Sequence, residues 1–310
     1  MRISVVIITH NRTEELKACV NSCLDKIDVP FELLIIDNNS NSTAEEVIVT
    51  ACRKRSDVEI KYYKQDKNLG VSGGRNLGYK LAQEDIIYFI DDDAYIKERG
   101  NSFKKIIEYI NLDNRICAVA TDIYNYRSDC CMSPKLSSIN SSKALCFYGA
   151  SHFIIKSRLN RQVLYPEILF YGHEDLWLSL EIYKMGGYVQ WQPTLKVMHG
   201  QANSIMTFTD DRVVAIGNKY AVKAVHFSKN CHGVLSRALL RRCFTLWKFN
   251  LKKICKCIRY AKKMQKSLRA YSTQFNTDQE SEFLKEFGSE YLRGGADSGT
   301  DKRKFKRGEQ

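Results

Sequence analysis

Five largely apolar runs, at residues 3–8, 31–37, 58–63, 86–91 and 116–121, alternate with helix-patterned stretches at 12–25, 43–55, 72–83 and 99–112. Runs this short suit buried strands, and a repeated strand–helix–strand order closes through right-handed crossovers onto a mostly parallel sheet. The chain is therefore expected to be an α/β protein whose first 122 residues form a sheet flanked by helices. In open sheets of this kind, ligands bind outside the carboxyl ends of the strands. That edge is where the chemically suggestive residues fall.

Ile86-Ile87-Tyr88-Phe89-Ile90 runs directly into Asp91-Asp92-Asp93. Three adjacent carboxylates repel one another unless donors or a cation offset their charge, and a hard divalent ion holding a diphosphate would do so. A solvated acidic turn is the plainer alternative. Asp37 ends the second run on the same edge, where it could accept the N–H of a uracil or thymine ring, accept a ribose hydroxyl, or simply form the turn. Thr9-His10-Asn11 leaves the first run there too, with backbone groups that could embrace a base. Asn68-Leu69-Gly70-Val71-Ser72-Gly73-Gly74-Arg75-Asn76 is a flexible turn opening a helix, whose N-terminus and Arg75 would favour an anion; a well-capped helix with a solvated arginine is the plainer alternative. It has neither the lysine of a P-loop nor the GxGxxG order, so ATPase and dinucleotide-binding readings are unsupported.

After Asp122 the pattern changes. Residues 125–142 are polar and irregular and are expected to form a long loop over a site, while 147–155 reads as a strand interrupted by Gly149-Ala150-Ser151. Gly172-His173-Glu174-Asp175 introduces a predicted helix over 174–185, followed by a short strand at 188–192. The two carboxylates either complement the helix dipole or supply a base apart from the acidic triplet. His199 follows the segment 194–198, where it is either structural or a nitrogen ligand to a carboxylate-bound cation. Thr43 and Glu46 have the spacing of a capping box. From residue 209 the chain reads as helical, and its Gly- and charge-rich tail, 294–310, is expected to be disordered.

The formal charge is +13, yet between residues 212 and 277 there are 16 Lys or Arg and no Asp or Glu, so the remainder is slightly negative. Leu240, Phe244, Trp247, Leu251, Ile254 and Ile258 recur at helical spacing within this segment, among Arg241, Arg242, Lys248, Lys252, Lys253, Lys256 and Arg259. One continuous basic amphipathic helix is predicted, suited to peripheral contact with an anionic membrane. Packing on the rest of the protein, a calmodulin-type target helix and nucleic-acid binding are the alternatives, the last unaccompanied by any reader motif; no nucleic acid is expected as a partner. No stretch is apolar enough to span a bilayer, and the N-terminal run lacks the form of a signal peptide. Eleven scattered cysteines without metal-site spacing suggest reduced thiols. A cytoplasmic location at the inner face of the cell membrane is expected.

These motifs, in this order, resemble family 2 glycosyltransferases of the GT-A type, over roughly residues 1–205. The resemblance rests on Thr9-His10-Asn11, Ile35-Ile36-Asp37-Asn38-Asn39-Ser40, Asn68-Leu69-Gly70, Gly74-Arg75-Asn76-Leu77-Gly78, Asp91-Asp92-Asp93, Gly172-His173-Glu174-Asp175 and His199. It departs at His10, where many members carry another residue, often tyrosine. The resemblance implies a GT-A-type, mostly parallel nucleotide-binding sheet flanked by helices, with a helical C-terminal extension. Its expected parts are a nucleotide-sugar-binding part (1–122), an acceptor-binding part of the same domain (123–208) and a basic helical region (209–293). It further implies that Thr9, Asn11, Asp37, Asn68, Arg75 and Asp91 hold a UDP- or dTDP-sugar, and that Asp93 and His199 ligate Mn2+ or Mg2+. Glu174 would hold the acceptor and Asp175 would be the catalytic base. The expected reaction is inverting transfer to a hydroxyl of a surface polysaccharide or lipid-linked oligosaccharide. A peptide, protein or small natural product as acceptor, or a non-catalytic nucleotide-sugar-binding membrane scaffold, are the alternatives.

Overall fold

The first strand, β1 (Ile3–Thr9), shows how the sequence builds the core. Val5 and Ile7 face one side of the sheet and Val6 and Ile8 the other, because successive strand side chains alternate. The computed structural model describes residues 2–42, 44–97, 100–126, 131–200, 209–248, 250–293 and 298–299. After β1 come α1 (Thr13–Lys26), β2 (Phe31–Asp37), α2 (Glu45–Lys54), β3 (Glu59–Lys64), α3 (Gly70–Leu81) and β4 (Ile86–Asp91). These four strands are parallel in the order β3-β2-β1-β4, as the alternation of runs predicts. The register sets Thr9 beside Asp37 and Ile8 beside Asp91, so three strand ends share one edge. The capping box expected at Thr43 lies outside the described residues.

The next elements are β5 (Ala94–Ile96), α4 (Ser102–Ile110), β6 (Ile116–Asn125), β7 (Cys131–Pro134), β8 (Lys143–Ala144), β9 (Ser151–Ile155), the short α5 (Lys156–Leu159), α6 (Glu174–Lys184) and β10 (Tyr188–His199). β9 inserts antiparallel between β4 and β6, which makes the sheet mixed, though mostly parallel. Two sequence expectations need correction here. Residues 125–142 are not wholly irregular: β6 continues to Asn125, β7 pairs with it, and the stretch beyond is fastened to a C-terminal helix by Ser138, whose backbone N–H donates to Glu286 O at 2.9 Å. Residues 194–198 belong to β10, which continues through an irregularity between Gln192 and Lys196. The Pro193-Thr194 interruption obscures that continuity in the sequence.

The C-terminal part comprises α7 (Thr209–His226), α8 (Lys229–Trp247), α9 (Leu251–Leu268) and α10 (Thr277–Phe287), and the two residues of β11 (Ser298–Gly299) pair with β7. Apart from β11, the tail expected to be disordered lies outside the described residues. The helices enclose their own apolar cluster, which reaches the sheet domain through Leu176, Trp177 and Leu180 of α6. Trp177, 1% exposed, sits edge-on to His226 of α7. His226 Nε2 is 2.9 Å from Glu181 Oε1, so α6 and α7 are joined by both apolar and polar contacts.

The single helix expected across residues 240–258 is two helices. α8 stops at Trp247, Lys248 takes a left-handed φ of 49°, and α9 restarts behind Asn250, whose side chain accepts from Lys253 N at 3.1 Å. A side chain of this type satisfies one of the donors orphaned at a helix start, which makes the break stable.

Candidate active site

Asp91, Asp92 and Asp93 emerge from β4 with three different environments. Asp92 turns inward, accepting Thr9 Oγ1 at 2.8 Å and Arg12 Nη1 at 3.0 Å. Burial pushes its carboxyl up to about 7, against the opposing influence of Arg12 and Thr9. Asp93 turns toward β10, with Oδ1 3.1 Å from His199 Nε2 and Oδ2 3.5 Å from Arg12 Nη1. Burial raises the Asp93 carboxyl, but the hydrogen bond from His199 and the charges of His199 and Arg12 prevail and hold it below the ordinary range. Burial lowers the His199 imidazole, and Asp93 and Asp91 reverse that effect and raise it. Asp91 is the most open of the three, its side chain 32% exposed and Oδ2 3.8 Å from His199 Nε2.

Topology explains why a histidine more than a hundred residues away arrives here. β10 runs antiparallel to β5 with His199 opposite Ala94, the residue after Asp93. Ligand atoms of Asp91, Asp93 and His199 lie within 4.8 Å of one another, and such a group can hold a metal ion. Two carboxylates and an imidazole suit Mn2+ or a similar borderline-hard divalent cation.

Arg75 links this cluster to the second pair of carboxylates. Its guanidinium, 2% exposed, donates from Nη2 to Asp91 Oδ1 at 2.8 Å and to Gly149 O at 2.9 Å, and from Nη1 to Glu174 Oε1 at 2.5 Å. Burial works against the charged guanidinium, yet Asp91 and Glu174 outweigh it and raise its pKa. Glu174 Oε2 is buried and has no hydrogen-bond partner among the described residues, and a buried polar atom left unsatisfied costs about 1–3 kcal/mol. Such an atom suits a hydroxyl brought by a ligand.

Glu174 and Asp175 open α6, behind His173 at a left-handed φ of 69°. Asp175 Oδ1 accepts Leu176 N at 2.7 Å, and Oδ2 lies 3.4 Å from Gly149 N. Burial first, then the neighbouring charge of Glu174, pushes the Asp175 carboxyl up to about 7. Gly149 thus serves both sides, its carbonyl accepting from Arg75 and its amide facing Asp175.

The remaining residues singled out in the sequence share the edge but make other contacts. Asp37 is fully buried, Oδ1 accepting Ser40 N at 2.7 Å and Oδ2 accepting the Tyr62 hydroxyl at 2.5 Å. A carboxylate has about four acceptor positions, so these bonds leave others. Asn11, at φ 56°, receives Asn41 N on its Oδ1 at 2.7 Å and donates its own N–H to Ser40 Oγ at 2.8 Å. Asn68 is exposed and accepts Gly70 N at 2.8 Å. Gly70, at φ 70°, has Phe170 O only 2.6 Å from where a Cβ would stand, so glycine is required to seat the loop leading into Gly172.

Sequence reading missed Arg12 and Gly149. Arg12 looked like the start of a helix, although its position just past a strand end was a usable signal. Gly149 was visible only as an interruption of a strand. A Cβ on Gly149 would lie 2.8 Å from Arg75 Nη2, and the guanidinium is clamped by three partners. Gly149→Ala is expected to destabilise the fold by about 1–3 kcal/mol, the usual cost of overpacking. A urea unfolding midpoint equal to that of the wild type would refute this account of the site's rigidity.

The chain belongs to glycosyl transferase family 2, whose model matches residues 4–182. It is a glycosyltransferase of GT-A fold. A protein of uncharacterised function from Haemophilus influenzae is 30% identical over 174 residues, covering 53% of this chain and 92% of that one. The poly(ribitol-phosphate) β-N-acetylglucosaminyltransferase TarP of Staphylococcus aureus is 31% identical over 102 residues, 32% of this chain and 30% of TarP. Among solved structures, the mannosyltransferase PcManGT of Pyrobaculum calidifontis, in complex with GDP-Man and Mn2+, superposes with a TM-score of 0.58 at 14% identity, covering 94% of this chain and 85% of that one. GalNAc-T7 with UDP, GalNAc and Mn2+ gives a TM-score of 0.60 at 17% identity, covering 87% of this chain and 57% of that one.

Proposed function

We propose that this protein transfers a sugar, with inversion, from a UDP- or dTDP-sugar to a hydroxyl of a surface polysaccharide or lipid-linked oligosaccharide. The observation that carries the reading is the buried Arg75, which joins a cation-binding group to a carboxylate pair at a helix start. Asp91, Asp93 and His199 would hold Mn2+ or Mg2+, and a bound ion supplies charge to a departing diphosphate. Thr9 and Asn11 line the strand end where the nucleoside would lie, Asp37 offers its remaining lone pairs to a pyrimidine N–H, and Asn68 stands at the turn before α3. Arg75 holds Asp91 and Glu174 in place and places positive charge between donor and acceptor sides.

Glu174 would hold the acceptor through a neighbouring hydroxyl donating to Oε2, and Asp175 would take the proton of the attacking hydroxyl as its oxygen attacks the anomeric carbon. The sugar–diphosphate bond breaks as the new glycosidic bond forms on the opposite face, with no sugar–enzyme intermediate. TarP, by its name, glycosylates a polymer, which supports a polymeric acceptor.

The test is thermal unfolding of the full chain with a panel of UDP-, dTDP- and GDP-sugars, each with and without Mn2+. A ligand at a hundred times its Kd stabilises by about 2.7 kcal/mol, or roughly 5 °C for a chain of this size. The expected result is such a shift for UDP- or dTDP-sugars in Mn2+. A shift with GDP-sugars alone would overturn the pyrimidine assignment, and none with any donor would overturn the nucleotide-sugar reading.

A further inference from the structure

The break between α8 and α9 divides the apolar stripe into parts with different environments. Ile254 is buried, 3% exposed, in the helical core beside Cys257, whose Sγ is 3.8 Å from Val213 O of α7. Leu240, Phe244 and Leu251, which flank the break, are instead 38%, 40% and 63% exposed. Leu240 and Phe244 are four residues apart on α8 and therefore share a face, and Leu251 opens α9. Arg241, Arg242, Lys248 and Lys252 are exposed around them and form no ion pair among the described residues. α9 carries no acidic residue along its length.

We propose that the α8–α9 corner docks on an anionic bilayer surface, its three apolar side chains entering the boundary between headgroups and acyl chains while the basic side chains engage lipid phosphates. The composition of the corner selects this partner. A polyanion such as a nucleic acid or a charged glycan would meet the cations but leave Leu240, Phe244 and Leu251 in water. A bilayer interface receives both kinds of side chain. No helix among the described residues is long and apolar enough to cross a membrane, so the attachment proposed is one of surface contact. The anionic face such a corner fits is that of the cytoplasmic leaflet.

The corner is also fastened to the active site. The Tyr260 hydroxyl of α9 donates to Asn218 Oδ1 of α7 at 3.0 Å, and Asn218 Nδ2 donates to Tyr171 O at 3.0 Å and Gly172 O at 3.2 Å. Those carbonyls belong to the turn that leads into Glu174 and Asp175. Membrane contact would therefore hold the acceptor side of the site at a fixed relation to the lipid surface. This consequence rests on the lipid-linked acceptor proposed above, whereas docking itself is measured without donor or acceptor, so the two readings fail separately.

The experiment is sedimentation of the full chain with phosphatidylcholine vesicles, with and without phosphatidylglycerol, at low and high salt. The protein should pellet with the mixed vesicles at low salt and be released by high salt. Arg241→Gln with Lys252→Gln should weaken partition by about 30-fold, at about 5-fold for each basic residue near such a surface. Leu240→Ser with Leu251→Ser should weaken it by at least about tenfold, through loss of inserted apolar surface. Thermal unfolding of both double variants should match the wild type, since Leu240, Arg241, Leu251 and Lys252 are exposed. Wild-type protein remaining in the supernatant at low salt would overturn the proposal. Binding that survives the apolar substitutions but not the charge substitutions would also overturn it, because the corner would then be held by surface charge alone.

Discussion

Asp175→Asn is expected to retain donor affinity while lowering kcat by about 10²–10⁴-fold, the span associated with loss of a positioned proton acceptor. The amide preserves the shape of the side chain and can still accept Leu176 N through its oxygen, so α6 should keep its start. What it removes is basicity. Because burial and the charge of Glu174 push the Asp175 carboxyl up to about 7, the ionised form needed for catalysis becomes dominant only above that pH. The acceptor kcat/KM should therefore rise with pH through about 7 in the wild type, and that limb should be absent from the variant. Wild-type turnover in Asp175→Asn at saturating acceptor, or an unchanged rising limb, would remove Asp175 from the role of base. The conservative variant Asp175→Glu serves as a positional control, since it keeps the carboxylate but advances it by one methylene. A variant that recovers the rising limb with reduced kcat would separate the proton acceptor from its placement.

The strands of the N-terminal half were legible because each is a short apolar run bounded by polar residues, and their common edge followed from parallel pairing. Asp91, Asp93 and Asp37 were legible with them, since a strand end fixes where its next residue emerges. His199 could be singled out as a histidine, but its convergence on Asp93 depends on the pairing of Ala94 with β10, a long-range register that no local pattern encodes. The full extent of β10 was hidden by Pro193-Thr194 and by the accompanying irregularity of its ladder. Arg75 was visible as a cation near an anion-favouring helix start, whereas its contacts with both Asp91 and Glu174 required the tertiary fold. Gly149 carries no side chain to advertise its contact with that guanidinium. The break between α8 and α9 was missed for a different reason: the apolar spacing continues undisturbed from Trp247 to Leu251, and only the capping asparagine marks the new helix.

Asp93→Ala is expected to abolish most Mn2+-dependent affinity for a nucleoside diphosphate while leaving the fold intact. The residue contributes one of the two carboxylates in the group that could hold the cation, and the ligand atoms on Asp91 and His199 would remain as an incomplete set. Structural compensation is available, because Arg12 keeps its 3.0 Å contact with Asp92 and His199 keeps Asp91 as a neighbour at 3.8 Å. Losing Asp93 also removes the strongest influence holding His199 in its raised range, so the imidazole should titrate at lower pH in the variant. This second readout, followed by NMR on the metal-free protein, reports the Asp93–His199 contact independently of any ion. Calorimetry of UDP and dTDP binding, with Mn2+ and with chelator, then separates the contributions. In the wild type the nucleotide should bind much more tightly with Mn2+ than without it, and in Asp93→Ala the two affinities should nearly converge. The removed carboxylate makes any residual metal-free binding slightly tighter, because one negative charge facing the diphosphate has gone. Equal Mn2+-supported affinities in wild type and variant would show that the ion, if it binds, is held elsewhere.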